Sequence, residues 1–429
     1  MADYNITAIK GDEATLDQLK QFTAVPFFIP WYRSAESHKV FPLFINDISD
    51  LNPSRNFAMG LVSRNPYFDN TDITYFIADD GTKPVGRIAA FVDRRYNEEN
   101  RKNAGGIGLF ECIEDPLLAE KLLAEAIDDI VLKGCDEIDR TSDFDTNRMN
   151  GVLVDGFQYE PYFMEPYTAP YYPGFFEHQG FTKRNDWYSI QVDDTSGEQF
   201  AKYMDKVRRT ISHLEASPER GKLLRECTIR NADFSKSKFE GEVGILEELY
   251  NLIWAELNHA LEEGKHHPQQ VTFTHPQMNK LATDIKLIDR EEYVQIVEHF
   301  GKNVGISASV PNINEKISAW DRRHPNYEPS LRFYQMKDLA RDVSIFQDIM
   351  KNSKRDFESM RVLILGVKEE YRKAGLDGAL YLSAFDAAMN NGIRRASLSQ
   401  LADINKDIVN PLTKMGPIAM TWRVYGLEL

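Results

Sequence analysis

The stretch LGVKEEYRKAGLDGALYLSAF, residues 365–385, decides how the rest of the chain is read. The apolar run Met360–Val367 leads into it and reads as a buried strand; Gly378–Asn391 reads as a helix that Gly392 ends. Arg372, Lys373, Gly375 and Gly378 crowd the turn between them. A helix start presents unpaired N–H groups and the positive end of the helix dipole. Glycines let a backbone approach closely or take a positive φ. With two cations alongside, the turn reads as an anion site suited to a diphosphate. The plainer reading is a strand-to-helix turn with solvated charges.

Downstream, Arg395–Leu401 reads as a strand, Lys406–Met415 as a helix opened after Asn405 and ended by Gly416, and Ala419–Tyr425 as a last strand. Upstream, the second half reads as strand Cys227–Ala232, helices Glu240–Leu261 and Pro276–Asp289, hairpin strands Tyr293–Phe300 and Gly305–Pro311, and a helix near Leu339–Lys351. In the first half, Ile73–Ala78 and Val85–Val92 flank a turn at Asp79-Asp80-Gly81-Thr82, and Gly106–Cys112 follows. A helix then starts at Asp115-Pro116, carries Leu118, Leu122, Ala126 and Ile130 on one stripe, and stops at Gly134 before strand Ile138–Phe144. The strand–helix–strand unit at Gly106–Phe144 thus repeats at Met360–Leu401, and only the second copy has the extra loop. Residues 155–188 hold four prolines and many aromatics, which reads either as a self-packed loop or as the wall of a substrate cleft. Phe200, Tyr203, Val207, Ile211 and Leu214 make a helical connector. The divisions expected are 1–195, a connector 196–226, and 227–429.

The 429 residues suit two to three domains. With 51 Lys+Arg against 66 Asp+Glu, the net charge of −15 disfavours a nucleic-acid partner. Cys112, Cys135 and Cys227 are odd in number and widely spaced, so they read as small buried hydrophobes in a reducing compartment. The first residues lack the basic and apolar regions of a secretory signal, and no apolar run is long enough to span a membrane, so a cytoplasmic location is expected. His266-His267-Pro268 has no partner at zinc spacing, and no metal is expected.

The order strand, Arg372-x-x-Gly375-x-Asp377, helix, strand, Asn405, helix resembles the GCN5-related N-acetyltransferase (GNAT) superfamily, whose diphosphate loop is (Gln/Arg)-x-x-Gly-x-(Gly/Ala). Asp377 departs from that pattern, and Gly378 beside it relieves the crowding. The resemblance implies an α/β (α+β) fold of two tandem GNAT-like acyl-CoA N-acyltransferase domains, each a mixed, mostly antiparallel sheet flanked by helices. The first would be a degenerate, structural or substrate-binding copy. Acetyl-CoA or another acyl-CoA would be the co-substrate. Leu365, Gly366 and Val367 would pair with its pantetheine arm; Arg372, Lys373, Ala374, Gly375, Leu376, Asp377 and Gly378 would hold its diphosphate; Asn405 would face the arm. Leu412 stands where many members carry a tyrosine acid. Tyr425 is a substitute for that acid, and Glu298, Asp403 and Ser399 are conceivable bases. The acceptor would be a small-molecule or peptide amine. Two other readings stay open: a tandem-fold peptidyl or aminoacyl transferase fed by aminoacyl-tRNA, and a non-catalytic protein that binds a CoA ester or a partner.

Overall fold

The computed structural model describes residues 4–54, 60–193, 198–260, 269–288, 290–333, 335–351 and 356–429. The strands are β1 (Asn5–Lys10), β2 (Thr71–Asp79), β3 (Pro84–Asp93), β4 (Ala104–Cys112), β5 (Glu137–Thr141), β6 (Val152–Asp155) and β7 (Thr182–Asp193), then β8 (Cys227–Asn231), β9 (Val294–His299), β10 (Lys302–Pro311), β11 (Ser359–Val367), β12 (Arg395–Ala402) and β13 (Ile418–Glu428). The helices of the first half are α1 (Leu16–Ala24), α2 (Phe44–Asp50), α3 (Arg94–Asn100), α4 (Pro116–Leu132) and α5 (Tyr172–His178). The connector forms α6 (Glu198–Ala216) and α7 (Lys222–Glu226). The second half adds α8 (Phe239–Ala260), α9 (His275–Ile288), α10 (Asn314–Arg323), α11 (Met336–Met350), α12 (Leu376–Asn390) and α13 (Lys406–Leu412).

The repeat read from the sequence is present as two equivalent crossovers. β4 and β5, joined by α4, run parallel from Ala104↔Glu137 to Ile107↔Thr141. β11 and β12, joined by α12, run parallel from Ser359↔Arg395 to Val362↔Leu398. Past those pairs the ladder ends and each pair of strands parts. Around them the sheet is mostly antiparallel, in the order β1-β2-β3-β4-β5-β13-β7-β12-β11-β10-β9-β8, with β6 on β13.

That order contains an exchange. The strand beside β5 is β13, from the end of the chain, with Leu427 opposite Ile138. The strand beside β12 is β7, from the middle, with Asp193 opposite Arg395. β7 and β13 pair with each other, Trp187 opposite Trp422, and join the halves into one sheet. Trp422 and Tyr425 are consequently buried in the hydrophobic cluster of the first half, with Phe176 and Ile138.

Some boundaries differ from the sequence reading. The strand expected over Ile138–Phe144 stops at Thr141, because the chain then closes on β4: a Cβ on Gly108 would lie 2.0 Å from the Ser142 carbonyl oxygen. The helix expected over Lys406–Met415 stops at Leu412, just after an internal Pro411 that cannot donate to the ladder. Residues Leu261 and Asp289, the expected ends of two helices, lie outside the described residues. The segment 155–188 packs its own aromatics, Tyr162, Tyr167, Tyr172 and Phe176, into the core and also lines a cavity described below. It also contains α5 and the start of β7. Cys112 and Cys135 are buried and Cys227 is half-buried; all three are free thiols.

Candidate functional site

The loop after β11 has the backbone that its glycines allow. Gly375 stands at the N-cap of α12 with φ 84°, and Lys373 before it has φ 64°. Leu365, Gly366 and Val367 pair with Ser307, Ile306 and Gly305 of β10, and beyond Val362 no ladder ties β11 to β12. Arg372 Nε donates to the Val367 carbonyl at 3.3 Å and ties the loop to its strand. Leu376 is buried and Ala374 half-buried beneath the turn. Asp377 is exposed in the first turn of α12, where a negative charge suits the helix dipole, and makes no capping hydrogen bond. It faces Tyr203 and Tyr381, whose hydroxyls are raised by burial and then by this carboxylate.

The space above the glycines is filled. A Cβ on Gly375 would lie 2.9 Å from Leu214 Cδ1 and 3.2 Å from Ile211 Cδ1; one on Gly378 would lie 3.0 Å from Ile211 Cδ1. Both apolar side chains belong to α6. With α6 seated there, its apolar side chains cover this side of the turn.

The remaining sequence candidates are scattered. Tyr425 is on β13 in the core of the first half; its hydroxyl donates to Glu177 Oε1 at 2.9 Å and its ring stacks on Phe176. It is not brought to the loop, because the exchange carries β13 to β5. Ser399 is buried with Ser397, Glu165 and Arg361; Arg361 Nε donates to its Oγ at 2.9 Å, and both serine hydroxyls donate to Glu165. Asp403 pairs with Lys183 at 3.3 Å and Glu298 with Arg230 at 2.6 Å. Asn405 opens α13 without a side-chain cap, and Leu412 is buried against α13's neighbours. His266-His267-Pro268 lies outside the described residues. Among the described residues no three His, Cys, Asp or Glu gather to hold a metal.

A site that the sequence reading missed is lined by residues of both halves. Where β4 and β5 part, a cavity of about 360 Å³ opens, within the range of small-molecule pockets. Apolar side chains from several elements wall it: Ile107 and Phe110 of β4, Phe163 and Met164 of the proline-rich segment, Ile288 of α9 and Ile349 of α11. Leu287 and Phe346 also line it and are 48% and 40% exposed, so it reaches the surface between α9 and α11.

Charged side chains interrupt this lining, and two clusters of them are centred on Glu111 and Asp50. At the first, Glu111 of β4 accepts from the hydroxyls of Tyr32 and Tyr172, the latter at 2.9 Å, and from Lys39 Nζ at 2.7 Å, with Arg87 3.8 Å away. Lys39 also donates to the Tyr167 carbonyl at 2.9 Å. Burial, then the Glu111 charge, pushes both tyrosines well above their ordinary range. At the second, Asp50 of α2 pairs with Arg148 at 3.0 Å and Lys280 at 3.1 Å. Burial opposes its ionisation, but these two cations win and hold it below the usual carboxylate range. One turn earlier on α2, Asp47 is pushed up to about 7 by burial and by Asp50 and Asp342. The sequence did carry a sign of this site: Arg87 and Glu111 are single charges inside otherwise apolar strands, where a charge persists only when it is paired.

The fold is that of a tandem GNAT protein. A tandem GNAT protein from the clavulanic acid biosynthesis pathway superposes over 99% of this chain and 98% of its own, with a TM-score of 0.51 and 10% identity. A GCN5-related glucosamine N-acetyltransferase region of a fungal multi-domain β-N-acetylglucosaminidase gives 0.51 with 11% identity, over 100% of this chain and 38% of that one. In sequence, the chain is similar to two curated proteins. The bacterial ceramide synthase of Caulobacter vibrioides (strain NA1000 / CB15N) is 23% identical over 434 residues, 100% of this chain and 98% of that protein. Protein YghO of Escherichia coli (strain K12) is 23% identical over 363 residues, 83% of this chain and 82% of its own. No protein-family model matches the chain. Among the described residues no helix is long and apolar enough to cross a membrane.

Proposed function

We propose that the chain is an N-acyltransferase that moves an acyl group from an acyl-CoA thioester to the amine of a long-chain substrate held in the cavity. The observation that carries this reading is the cavity itself: apolar walls, open to the surface beside Leu287 and Phe346, with charged side chains at the parting of β4 and β5. An alkyl chain is suited to such walls by the hydrophobic effect, and a polar head group to the charged residues. The full-length similarity to a protein named a ceramide synthase supports a lipid amine as acceptor.

In the reaction the amine nitrogen attacks the thioester carbonyl. The C–N bond forms, the C–S bond breaks, and the thiolate leaves; the nitrogen loses one proton and the thiolate gains one, so that amide and thiol are the products. Glu111 already receives donors from Lys39, Tyr32 and Tyr172. Its part is to fix Lys39 and Tyr172 at the cavity wall. The loop at Arg372–Gly378 has the residue types for the donor's diphosphate, and α6 must lift from Gly375 before it is used. The covered loop favours a second reading, a lipid-amine binding protein without catalysis.

A thiol-release assay on the purified chain, with long- and short-chain amines and a series of acyl-CoAs, separates the readings. Amide product and free CoA with long-chain amines support the transferase. Binding of the amine without product, across all acyl-CoAs, selects the binding protein.

A further inference from the structure

Carboxylates on the cavity wall differ in what answers their charge. Asp50 has Arg148 and Lys280, Asp284 has Lys280 at 2.7 Å, and Glu111 has Lys39 and Arg87. Glu165 receives the hydroxyls of Ser397 and Ser399. Asp143 and Asp145 accept backbone N–H groups, from Leu109 at 3.0 Å and Asn147 at 2.9 Å, and each stands near two cations, Arg87 and Lys39 for the first and Arg148 and Arg140 for the second.

Asp47 is different. It lies one turn before Asp50 on the same face of α2, so both carboxylates line the cavity, but the two cations sit on Asp50. Among the described residues no side chain forms an ion pair with Asp47, and the backbone of Leu43 supplies its hydrogen bond. Arg87 acts on it from a distance, and that guanidinium is engaged by Glu111 and by the Phe22 carbonyl at 2.9 Å. The charges most felt by Asp47 are two further carboxylates, Asp50 and Asp342. A half-buried anion among anions and apolar walls is costly unless a cation arrives. The neighbouring walls are those an alkyl chain would occupy.

We propose that Asp47 receives the ammonium head of a long-chain primary amine bound in this cavity. The inference rests on the lipid-amine reading of the cavity and adds the residue that selects amine over neutral head groups. The raised proton affinity of Asp47 agrees with a site that gains most from a cationic ligand.

The test is equilibrium binding of hexadecylamine and hexadecanol to the full chain, in wild type, Asp47→Asn and Asp47→Glu. A charge-assisted hydrogen bond should make the amine bind about 10-fold or more tightly than the alcohol in wild type. Asp47→Asn should erase that preference and leave hexadecanol affinity unchanged, and Asp47→Glu should keep part of it. Equal wild-type affinities, or a preference that survives in Asp47→Asn, would overturn the role of Asp47 while leaving the lipid cavity standing. Failure of both ligands to bind wild type would overturn the cavity reading, and Asp47 with it. The wild-type comparison decides even where a variant does not fold.

Discussion

The proton affinity of an acidic side chain in this cavity follows from its immediate neighbours. Asp47 and Asp50 are the same residue type on the same helix, yet one is raised to about 7 and the other lowered, because Arg148 and Lys280 reach only the second. A folded-state value above that of the unfolded chain, about 3.9 for Asp, means that the native state holds the proton more tightly. That contribution to stability is complete below the unfolded value and is lost as pH rises through the folded one. Asparagine has no such dependence. The stability of Asp47→Asn relative to wild type should therefore grow from about pH 4 to about pH 7 and then level off. Melting curves of both proteins across that range test it, and a constant offset would refute the burial argument. At the other charged group, Lys39→Met removes one cation from a buried Glu111 that keeps its tyrosines and Arg87. A loss of about 1–3 kcal/mol is expected from denaturant titration. Glu111 and Lys39 are charges in segments that are otherwise largely apolar. Their meeting was not readable in the sequence, since 72 positions separate them.

Elements carry information about their own periodicity and little about the surface they will cover. The stripe Tyr203, Val207, Ile211 and Leu214 was legible as a helix, and α6 is that helix. That it lies across Gly375 and Gly378 could not be read, because any apolar surface satisfies an apolar stripe. The same holds for the two helix starts of the repeat. α4 begins with Asp115, which accepts from the backbones of Leu117 and Leu118 and from the Tyr4 hydroxyl at 2.6 Å. That start is closed by its own carboxylate. α12 has no side-chain cap and is closed by α6. Asp115→Ala should thus cost about 0.5–2 kcal/mol in a denaturant titration and leave CoA affinity untouched. Trimming the cover, with Ile211→Ala and Leu214→Ala together, should increase CoA affinity measured by calorimetry, since less apolar contact is lost when α6 lifts. Unchanged affinity would show that α6 does not compete with the ligand.

The strand exchange governs the molecule as a whole. The local patterns of β7 and β13 identify each as a strand, but a strand of alternating or apolar character pairs equally well with either neighbour until the chain is folded. Sequence order suggested that each half closes its own sheet. Instead β13 fills the gap beside β5, and its Trp422 Nε1 donates to the Pro166 carbonyl at 2.8 Å, 256 residues away in the chain. Such pairings close very long loops, which slows folding and makes the last strand decisive. Removing residues 418–429 would strip β5, β6 and β7 of their shared partner and expose Trp187, Phe176 and Ile138, all buried in wild type. Unpaired strand edges of this kind bind other chains. The truncated chain should therefore lose cooperative unfolding in both halves, and residues 1–195 expressed alone should aggregate. Co-expression of 1–195 with 196–429 should restore a soluble pair, because β7 and β13 can still cross between the two pieces. Size-exclusion chromatography and circular dichroism of the separate and paired fragments decide the matter. Two independently folded, monomeric halves would show that each half closes its own sheet and that the exchange is dispensable.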